Sequence, residues 1–292
     1  MPELPEIETV RLQLSKVLVG VEICDIEVLK PKSVSGDWDL VKGKKIEGIS
    51  RKGKMLQIDL SEDISVAIHF KMTGQLVYQK DTNKNRKIEL NERIVGGHPT
   101  ADFVGELPSK HTRAVFNFED GSKMYFNDQR MFGWVKIGHK SDIEKEKFLQ
   151  SLGPEPFDLT EEEFAKLISK SKKPIKLVLM DQQIICGVGN IYANDGLWEA
   201  RVNPRRPANE LTPNQLKEIY KGVVKVLREG IKYGGATAAD AKYIDLHGVG
   251  GHYQEHFRVY DREGEGCLRK DGVVHKFMLS GRGTYFCPGC QS

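Results

Sequence analysis

A change in the spacing of apolar residues near Gly153-Pro154 constrains the fold of this chain more than any other feature. Before it, from about residue 16 to 137, short β-branched and aromatic stretches recur without helical spacers, which is typical of an antiparallel sandwich or barrel. After it, apolar residues take helical spacing. The sequence therefore predicts an α+β protein with a β-rich region first. The strand-like stretches are 55–60, 65–70, 74–79, 114–118, 123–127 and 133–138.

Local signals refine this division. Asp120-Gly121 between two apolar stretches predicts a hairpin turn, and the polar stretch 80–112, with two prolines and two adjacent glycines, predicts one long loop. Thr160 and Thr212, each followed three residues later by Glu or Gln, predict the starts of two helices. Gly234-Gly235 predicts the end of the second of these helices.

Composition excludes some classes of protein and leaves others open. No apolar run approaches the ~18 residues that a membrane span needs, and the acidic, proline-containing start does not resemble a signal peptide. We therefore expect a cytoplasmic protein with no membrane partner. The formal net charge of +3 neither requires nor excludes a nucleic-acid partner, because a basic stripe can lie within a balanced total. Three of five cysteines cluster near the end, which favours a metal over a disulfide in a reducing compartment.

The first residues carry the strongest chemical signal. Removal of Met1 would expose the secondary amine of Pro2, and an α-amino group titrates low enough, at about 7.7–8.0, to be nucleophilic near neutral pH. Glu3 and Glu6 follow and could transfer protons beside that amine. The plain alternative is that proline and glutamate merely begin a helix, since acids favour a helix N-terminus.

The opening MPELPEIETVR resembles that of the formamidopyrimidine-DNA glycosylases, bacterial enzymes that excise oxidised purines. Further blocks resemble the same family in order along the whole chain: RKGKML, IHFKMTGQL, FNDQRMFG, LGPEP, LMDQQIICGVGNIYANDGLW and GRGTYFCPGCQ. The related endonuclease VIII branch, which prefers oxidised pyrimidines, usually has glycine where this chain has Leu4. The resemblance therefore favours the oxidised-purine branch. It implies an N-terminal antiparallel β-sandwich, a helix-two-turn-helix domain and a zinc-finger-like β-hairpin.

The resemblance also implies roles for the residues of the catalytic blocks. It makes Pro2 the nucleophile, Glu3 the general acid and Glu6 a supporting acid. Lys54 matches a lysine that binds a phosphate beside the lesion and assists catalysis, and His69 resembles another contact to the DNA backbone. From the residues alone, Lys54 would be interpreted as a solvated charge and His69 as a hydrogen-bonded histidine at a strand end.

Excision of a damaged base requires turning its nucleotide out of the duplex, and protein side chains must fill the gap. In the family a Met, an Arg and a Phe do so, and they correspond here to Met72, Arg130 and Phe132. An apolar plug, a cation and an aromatic wedge suit this task. The family usually has Pro-Arg-Arg-Phe-Gly where this chain has Gln-Arg-Met-Phe-Gly at 129–133. The missing proline leaves the stiffness of this loop open. Met72 and Phe132 could otherwise be ordinary core residues.

Other blocks imply contacts with DNA phosphates. The GVGNIYAND block at 187–195 resembles the helix-two-turn-helix motif, where glycines admit a phosphate and the side chain of Asn190 can donate to it. Lys176 lies upstream in a cluster of lysines suited either to phosphates or to a solvated helix end. Arg282 matches the arginine at the tip of the C-terminal hairpin, which clamps phosphates near the lesion.

The family's C-terminal finger normally holds zinc through two pairs of cysteines. Here Cys267, Cys287 and Cys290 occupy three of the four places, and Lys270, which cannot bind zinc, occupies the fourth. Either the site recruits His275 or another group, or it is weak or empty. Structural zinc is thus left open, and no redox or nucleotide cofactor is implied.

We therefore predict a monomeric, nucleoid-associated bacterial enzyme that binds double-stranded DNA containing an oxidised base or an abasic site. It would excise 8-oxoguanine and formamidopyrimidines through a Schiff base on the N-terminal proline and then cleave the strand by β,δ-elimination. The alternatives are an oxidised-pyrimidine glycosylase, a lyase acting only on abasic sites, and a non-catalytic protein that binds damaged DNA. The predicted segments are a catalytic domain (1–137), a helix-two-turn-helix domain (138–235), a lesion-capping loop and linker (236–256) and the finger (257–292).

Overall fold

The computed structural model of the chain describes residues 1–80, 93–236 and 251–292. These residues form two compact units, one of residues 1–150 and 233–254 and the other of residues 151–232 and 255–292. The limits of the four segments inferred from the sequence remain a prediction. Most of the lesion-capping loop predicted at 236–256 lies outside the described residues.

The first unit opens with helix α1 (Leu4–Leu18), which packs against β3 (Lys44–Lys52) and β7 (Arg93–Gly97). The short helices α2 (Lys140–Glu144) and α3 (Lys147–Gln150) close it in sequence. The other strands described in this unit are β1 (Glu22–Val28), β2 (Val34–Gly36), β4 (Met55–Leu60), β5 (Ile64–His69), β6 (Gly74–Gln79), β8 (Thr112–Phe118), β9 (Lys123–Asp128) and β10 (Trp134–His139).

The strands form two five-stranded halves, ordered β2-β10-β5-β4-β3 and β1-β8-β9-β6-β7, which join through a short pairing of β1 with β3. Apolar side chains from both halves and from α1 form one core, for example Ile58, Phe116 and Leu14. This arrangement confirms the predicted α+β fold with its N-terminal sandwich. The pairing is antiparallel throughout the described strands except between β10 and β2, which run parallel.

Residues 80–112, predicted as one loop, contain strand β7, so that interpretation was wrong for 93–97. The strand pairs with β6, with Gly97 opposite Gln75. Its two glycines resemble a turn in sequence, but Gly96 allows the side chain of Val10 to pack directly against the strand: a Cβ there would lie 1.6 Å from Cγ2 of Val10. The strand therefore depends on a tertiary contact that the local sequence does not reveal. Residues 81–92 of the predicted loop lie outside the described residues.

The second unit contains α4 (Glu161–Ile168), α5 (Ile175–Met180), α6 (Asn190–Glu199) and α7 (Pro213–Lys232). Both predicted helix starts are confirmed. Thr160 and Glu163 bond reciprocally, with N–H to oxygen distances of 2.9 and 3.2 Å, and Thr212 and Gln215 do the same. The glycine pair after α7 has positive φ, as the predicted helix end requires.

The predicted C-terminal hairpin is present as β11 (His275–Leu279) and β12 (Arg282–Phe286). It packs through a small apolar cluster that includes Trp198 of α6 and the three C-terminal cysteines. Among the described helices, none combines the length and apolar character needed to cross a bilayer.

Candidate active site and nucleic-acid interface

The head of α1 places the predicted catalytic residues together. Pro2 is buried, and Glu3 and Glu6 are only 2 % and 7 % exposed. The Glu3 N–H donates to Oε2 of Glu6 at 2.7 Å, while Oε1 of Glu6 accepts the N–H of Ala236 at 2.8 Å. One carboxylate therefore joins the start of the chain to the residue that follows Gly235. A Cβ at Gly235 would lie 2.9 Å from Cγ of Glu6, so glycine permits this contact.

An ion pair between Glu8 and Arg51 joins α1 to the strand that leads to Lys54. Glu8 of α1 accepts hydrogen bonds from Arg11 at 2.6 Å and from Arg51 at 2.9 Å. Burial alone would raise the pKa of Glu8, but these two guanidinium groups lower it overall. Arg51 also donates to the carbonyl oxygen of Gly53 at 3.0 Å. Lys54 follows directly and is buried, unlike a solvated edge charge.

His69 ends β5 opposite Met55, so it lies beside Lys54. Its Nδ1 accepts the N–H of Lys71 at 3.0 Å, and its ring packs between Trp134 and Phe148. Burial lowers the pKa of His69 to about 3, with smaller contributions from the positive charges of Lys71 and Lys54. The neutral ring therefore carries its proton on Nε2, which can donate to a phosphate without carrying charge.

Two neighbouring turns present the three predicted wedge residues. Met72 lies half-buried in the turn between β5 and β6, and Arg130 and Phe132 lie exposed in the turn between β9 and β10. The Arg130 guanidinium stands 4.8 Å from the centre of the Phe132 ring. Phe132 is 53 % exposed, which is unusual for a phenylalanine and argues against an ordinary core role.

The helix-two-turn-helix motif comprises α5, α6 and the turns between them. Gln182 holds these turns: its Oε1 accepts the Gly187 N–H at 2.9 Å, and its Nε2 donates to the carbonyl oxygens of Met180 and Val188. Asn190 is the first residue of α6 and is half-buried. The start of a helix is a position that suits a phosphate, because the positive end of the helix dipole lies there.

Lys176 lies inside the second unit rather than on its surface. It is 0 % exposed, and its Nζ donates to the carbonyl oxygen of Gly283 at 2.9 Å and to Oγ1 of Thr284 at 2.7 Å. Both acceptors belong to β12, which begins at the exposed residue Arg282. The structure thus brings Lys176 next to the strand that carries Arg282.

Sequence reasoning missed two neighbouring side chains that hold the same region. Asn194 accepts the Tyr285 N–H at 2.8 Å, and Asp195 accepts the N–H groups of Val259 and Tyr260, both at 3.1 Å. Burial raises the pKa of Asp195. A signal was available, because two polar residues stand within an otherwise apolar run of α6, and polar groups placed there must have partners.

The three C-terminal cysteines form one cluster. Their Sγ atoms all lie within 4.8 Å of one another, and those of Cys267 and Cys290 are 3.8 Å apart. Thiolates at about 2.3 Å from a tetrahedral zinc ion would be separated by about 3.8 Å. Cys267, Cys287 and Cys290 therefore fit three corners of a metal site.

Within the described part of the chain, no fourth Cys, His, Asp or Glu joins this cluster. His275, a candidate ligand from the sequence, instead lies exposed on β11. The neighbouring residue Val274 is buried in the cluster with the cysteines, and successive side chains of an extended chain point to opposite sides. Lys270 is exposed with a φ of +61°. The groups that contact the sulfurs are hydrogen-bond donors: Nε1 of Trp198 to Cys267 at 3.4 Å and Nη1 of Arg269 to Cys290 at 3.7 Å.

The donors act differently on the two thiols. Burial by itself raises the pKa of Cys267, but the indole N–H of Trp198 and other hydrogen bonds lower it overall. Burial and the neighbouring thiols raise the pKa of Cys290 to about 12, although Arg269 opposes that shift. Arg269 stacks on the Trp198 ring at 3.7 Å and donates to the carbonyl oxygens of Trp198 and Glu199. Among the residues that the structure describes, the cluster therefore has three groups able to bind a metal and a cation beside it.

The chain is similar to known proteins in both sequence and structure. Residues 1–135 match the formamidopyrimidine-DNA glycosylase N-terminal domain, and residues 152–242 match the H2TH domain of the same family. The formamidopyrimidine-DNA glycosylase of Pelotomaculum thermopropionicum is 38% identical, over 100% of this chain and 99% of the relative. That of Listeria monocytogenes is 35% identical, over 100% of both chains.

Solved structures agree with this assignment. The Fpg of Lactococcus lactis in complex with DNA containing an abasic site superposes with a TM-score of 0.82 at 30% identity, covering 100% of both chains. The same protein with DNA containing FAPY-dG gives a TM-score of 0.81 at 29% identity, covering 99% of each. From its N-terminal β-rich half to its cysteine-bearing hairpin, this chain belongs to the formamidopyrimidine-DNA glycosylase family.

Proposed function

We propose that this chain, a DNA glycosylase of base excision repair, is bifunctional: it removes oxidised purines from duplex DNA and then cleaves the strand as a lyase. The observation that carries the proposal is the buried group of Pro2, Glu3 and Glu6 at the head of α1. Met1 is 43 % exposed, so it is accessible for removal. Its loss would free the amine of Pro2 beside the carboxyl group of Glu3.

The proposed reaction begins when the Pro2 nitrogen bonds to C1′ of the damaged nucleotide and the bond from C1′ to the base breaks. The proton that the amine loses passes through solvent to the departing base, which leaves as a neutral molecule. Glu3 donates a proton to the opening sugar ring, which leaves an iminium ion on Pro2. The iminium acidifies C2′, and loss of that proton expels the 3′ phosphate. A second elimination expels the 5′ phosphate, and water then releases Pro2.

The contacts with DNA are also proposals. Lys54, His69, Asn190 and Arg282 would hold phosphates, with His69 acting as a neutral donor because its pKa is about 3. Met72, Arg130 and Phe132 would fill the gap left by the flipped nucleotide. Lys176 would act indirectly, by holding the strand that carries Arg282.

The partner is double-stranded DNA with an oxidised base or an abasic site, as in the complexes of the Lactococcus protein. We place the enzyme at the bacterial nucleoid as a monomer. A second candidate substrate is an oxidised pyrimidine, because the same Lactococcus protein has been crystallised with DNA containing one. A panel of duplexes with purine and pyrimidine lesions separates these substrates.

We further propose that Cys267, Cys287 and Cys290 bind zinc in a structural role. The 3.8 Å separation of two of the sulfurs suits a zinc ion. A bound ion would join Cys267, which precedes the hairpin, to Cys287 and Cys290, which follow it. Because only three thiolates are offered, binding should be weaker than in a site with four cysteines.

Glu3→Gln tests the catalytic assignment. Excision of 8-oxoguanine opposite cytosine should fall by about 100-fold or more, because the variant cannot donate a proton to the sugar. Cleavage of a ready-made abasic site should fall less, since an abasic sugar already populates its open-chain aldehyde and needs no proton from Glu3 to open the ring. Glu47→Gln, which alters an exposed carboxylate of the same unit, is the matched control. Equal activity of Glu3→Gln and the native protein on the 8-oxoguanine duplex would contradict the assignment.

A further inference from the structure

A buried polar pair connects the two turns that carry the wedge residues. Thr73 follows Met72 and is 8 % exposed, and Asp128 ends β9 and is 0 % exposed. The Thr73 hydroxyl donates a short hydrogen bond to Oδ1 of Asp128. This bond links the Met72 turn to the turn that begins after Asp128.

The same two side chains fix the backbone of the second turn. Thr73 Oγ1 and Asp128 Oδ1 accept the Arg130 N–H at 3.0 and 3.2 Å, and Asp128 Oδ2 accepts the Gly133 N–H at 2.6 Å. Arg113 donates to the carbonyl oxygen of Asp128 at 2.8 and 2.6 Å. Both ends of the turn are thus held by one carboxylate.

Between these anchored ends the chain takes a conformation that side chains rarely adopt. Met131 has a φ of +55°, in the left-handed region, and it is 40 % exposed. Such a conformation persists only where surrounding bonds impose it. Residues 129–133 contain no proline that would restrict the backbone, so the bonds to Thr73 and Asp128 are the contacts to which we attribute this conformation.

We propose that Thr73 and Asp128 are positioning residues that hold Met72, Arg130 and Phe132 in the geometry required for insertion into the duplex. The wedge is then ordered before DNA binds, and binding need not order it. This inference rests on the proposed function. Thr73 and Asp128 then act in the step in which a nucleotide is turned out of the duplex, and not in bond breaking.

Thr73→Val and Thr73→Ser form the central comparison, because valine has the same shape without the hydroxyl and serine retains it. The probe is a duplex with a tetrahydrofuran abasic analogue and 2-aminopurine beside the orphaned base, whose fluorescence rises on unstacking. For Thr73→Val we expect about tenfold weaker binding or a reduced fluorescence rise. Thr73→Ser should behave as the native protein. Excision of 8-oxoguanine from duplex DNA should follow the same order.

A second pair of variants tests the same inference independently, in case Thr73→Val does not fold. Met131→Gly and Met131→Ala both remove the side chain, but only glycine relaxes the left-handed position and loosens the turn. We expect Met131→Gly to keep or raise the melting temperature while duplex excision falls below that of Met131→Ala. Equal excision by these two variants would count against rigidity of the turn as the relevant property.

Cleavage of a single-stranded abasic oligonucleotide separates positioning from chemistry. It should change by less than about threefold in Thr73→Val, because no duplex must be opened. A loss equal to that on duplex DNA, or duplex activity equal to that of the native protein, would overturn the inference alone. Failure of the native protein to excise 8-oxoguanine or to bind the probe would instead contradict the proposed function.

Discussion

At the scale of single residues, Glu6 shows how one side chain can serve two distant parts of the chain. Each of its carboxylate oxygens accepts a backbone N–H, one from Glu3 and one from Ala236. A carboxylate with both oxygens engaged in this way is held in a fixed position. We infer that Glu6 supports catalysis by positioning Glu3 and the start of segment 236–256, rather than by exchanging protons itself.

His69 gives a prediction about pH. Its pKa of about 3 in the folded protein lies below the value of 6.5 for a free histidine. Between these values the unfolded chain binds a proton that the folded protein does not, so the free energy of unfolding rises with pH in this window. Lowering the pH from 7 to 5 should cost about 2 kcal/mol through this group.

Urea unfolding of the native protein and of His69→Gln at both pH values measures this contribution, because the other titrating groups cancel in the difference. His139→Gln, at an exposed histidine ending β10, is the matched control for the substitution itself. The same pH dependence in His69→Gln and the native protein would show that His69 titrates normally.

At the scale of elements, the link between α5 and β12 depends on a buried lysine. Lys176→Met removes a donor from the Gly283 carbonyl oxygen and from the Thr284 hydroxyl. The Thr284 hydroxyl keeps its bond to the carbonyl oxygen of Arg282, but loss of a hydrogen-bonded partner inside a protein costs about 1–3 kcal/mol. We therefore expect faster hydrogen exchange in β12 and weaker DNA binding, because Arg282 begins that strand.

Hydrogen exchange with mass-spectrometric readout over residues 275–286 makes this measurement directly. Lys172→Met is the matched control, since Lys172 belongs to the same lysine cluster but is exposed. If Lys176→Met protects β12 as well as the native protein does, the buried amine is not what holds the hairpin.

Elements with strong local signals could be predicted, and those that depend on tertiary contacts could not. The strands at 55–60 and 74–79 and the Thr160 helix start rest on periodicity or capping, which a short window of sequence contains. Strand β7 depends on Val10 fitting over Gly96, more than 80 residues away. Its glycines therefore resemble a turn until the fold is known.

The residues of the candidate site likewise fall into those that could be predicted from the sequence and those that could not. The resemblance named Pro2, Glu3 and the wedge residues, because their block is recognisable in sequence. It could not show that Lys176 is buried or that Thr73 and Asp128 hold the wedge turns. Such contacts depend on which elements become neighbours, and β6 pairs with β9 across the intervening residues 80–122.

At the scale of the whole molecule, the metal content of the finger is a direct prediction. The protein purified with zinc should contain about one zinc ion per chain by mass spectrometry of the metal, and Cys290→Ser should lower that content. Cys24→Ser, at an exposed cysteine in β1, is the control. A zinc content near zero with protected amides in β11 and β12 would show that the hairpin folds on its apolar cluster without metal.

The proposed function requires a covalent intermediate on Pro2 during the removal of an oxidised purine. It is tested by incubation with a duplex containing 8-oxoguanine opposite cytosine in the presence of borohydride, followed by peptide mass analysis of any trapped product. We expect DNA attached to the peptide that begins with Pro2, and strand cleavage in the unreduced sample. An adduct on a lysine, or DNA binding with no adduct on either this duplex or an abasic one, would contradict the proposed function.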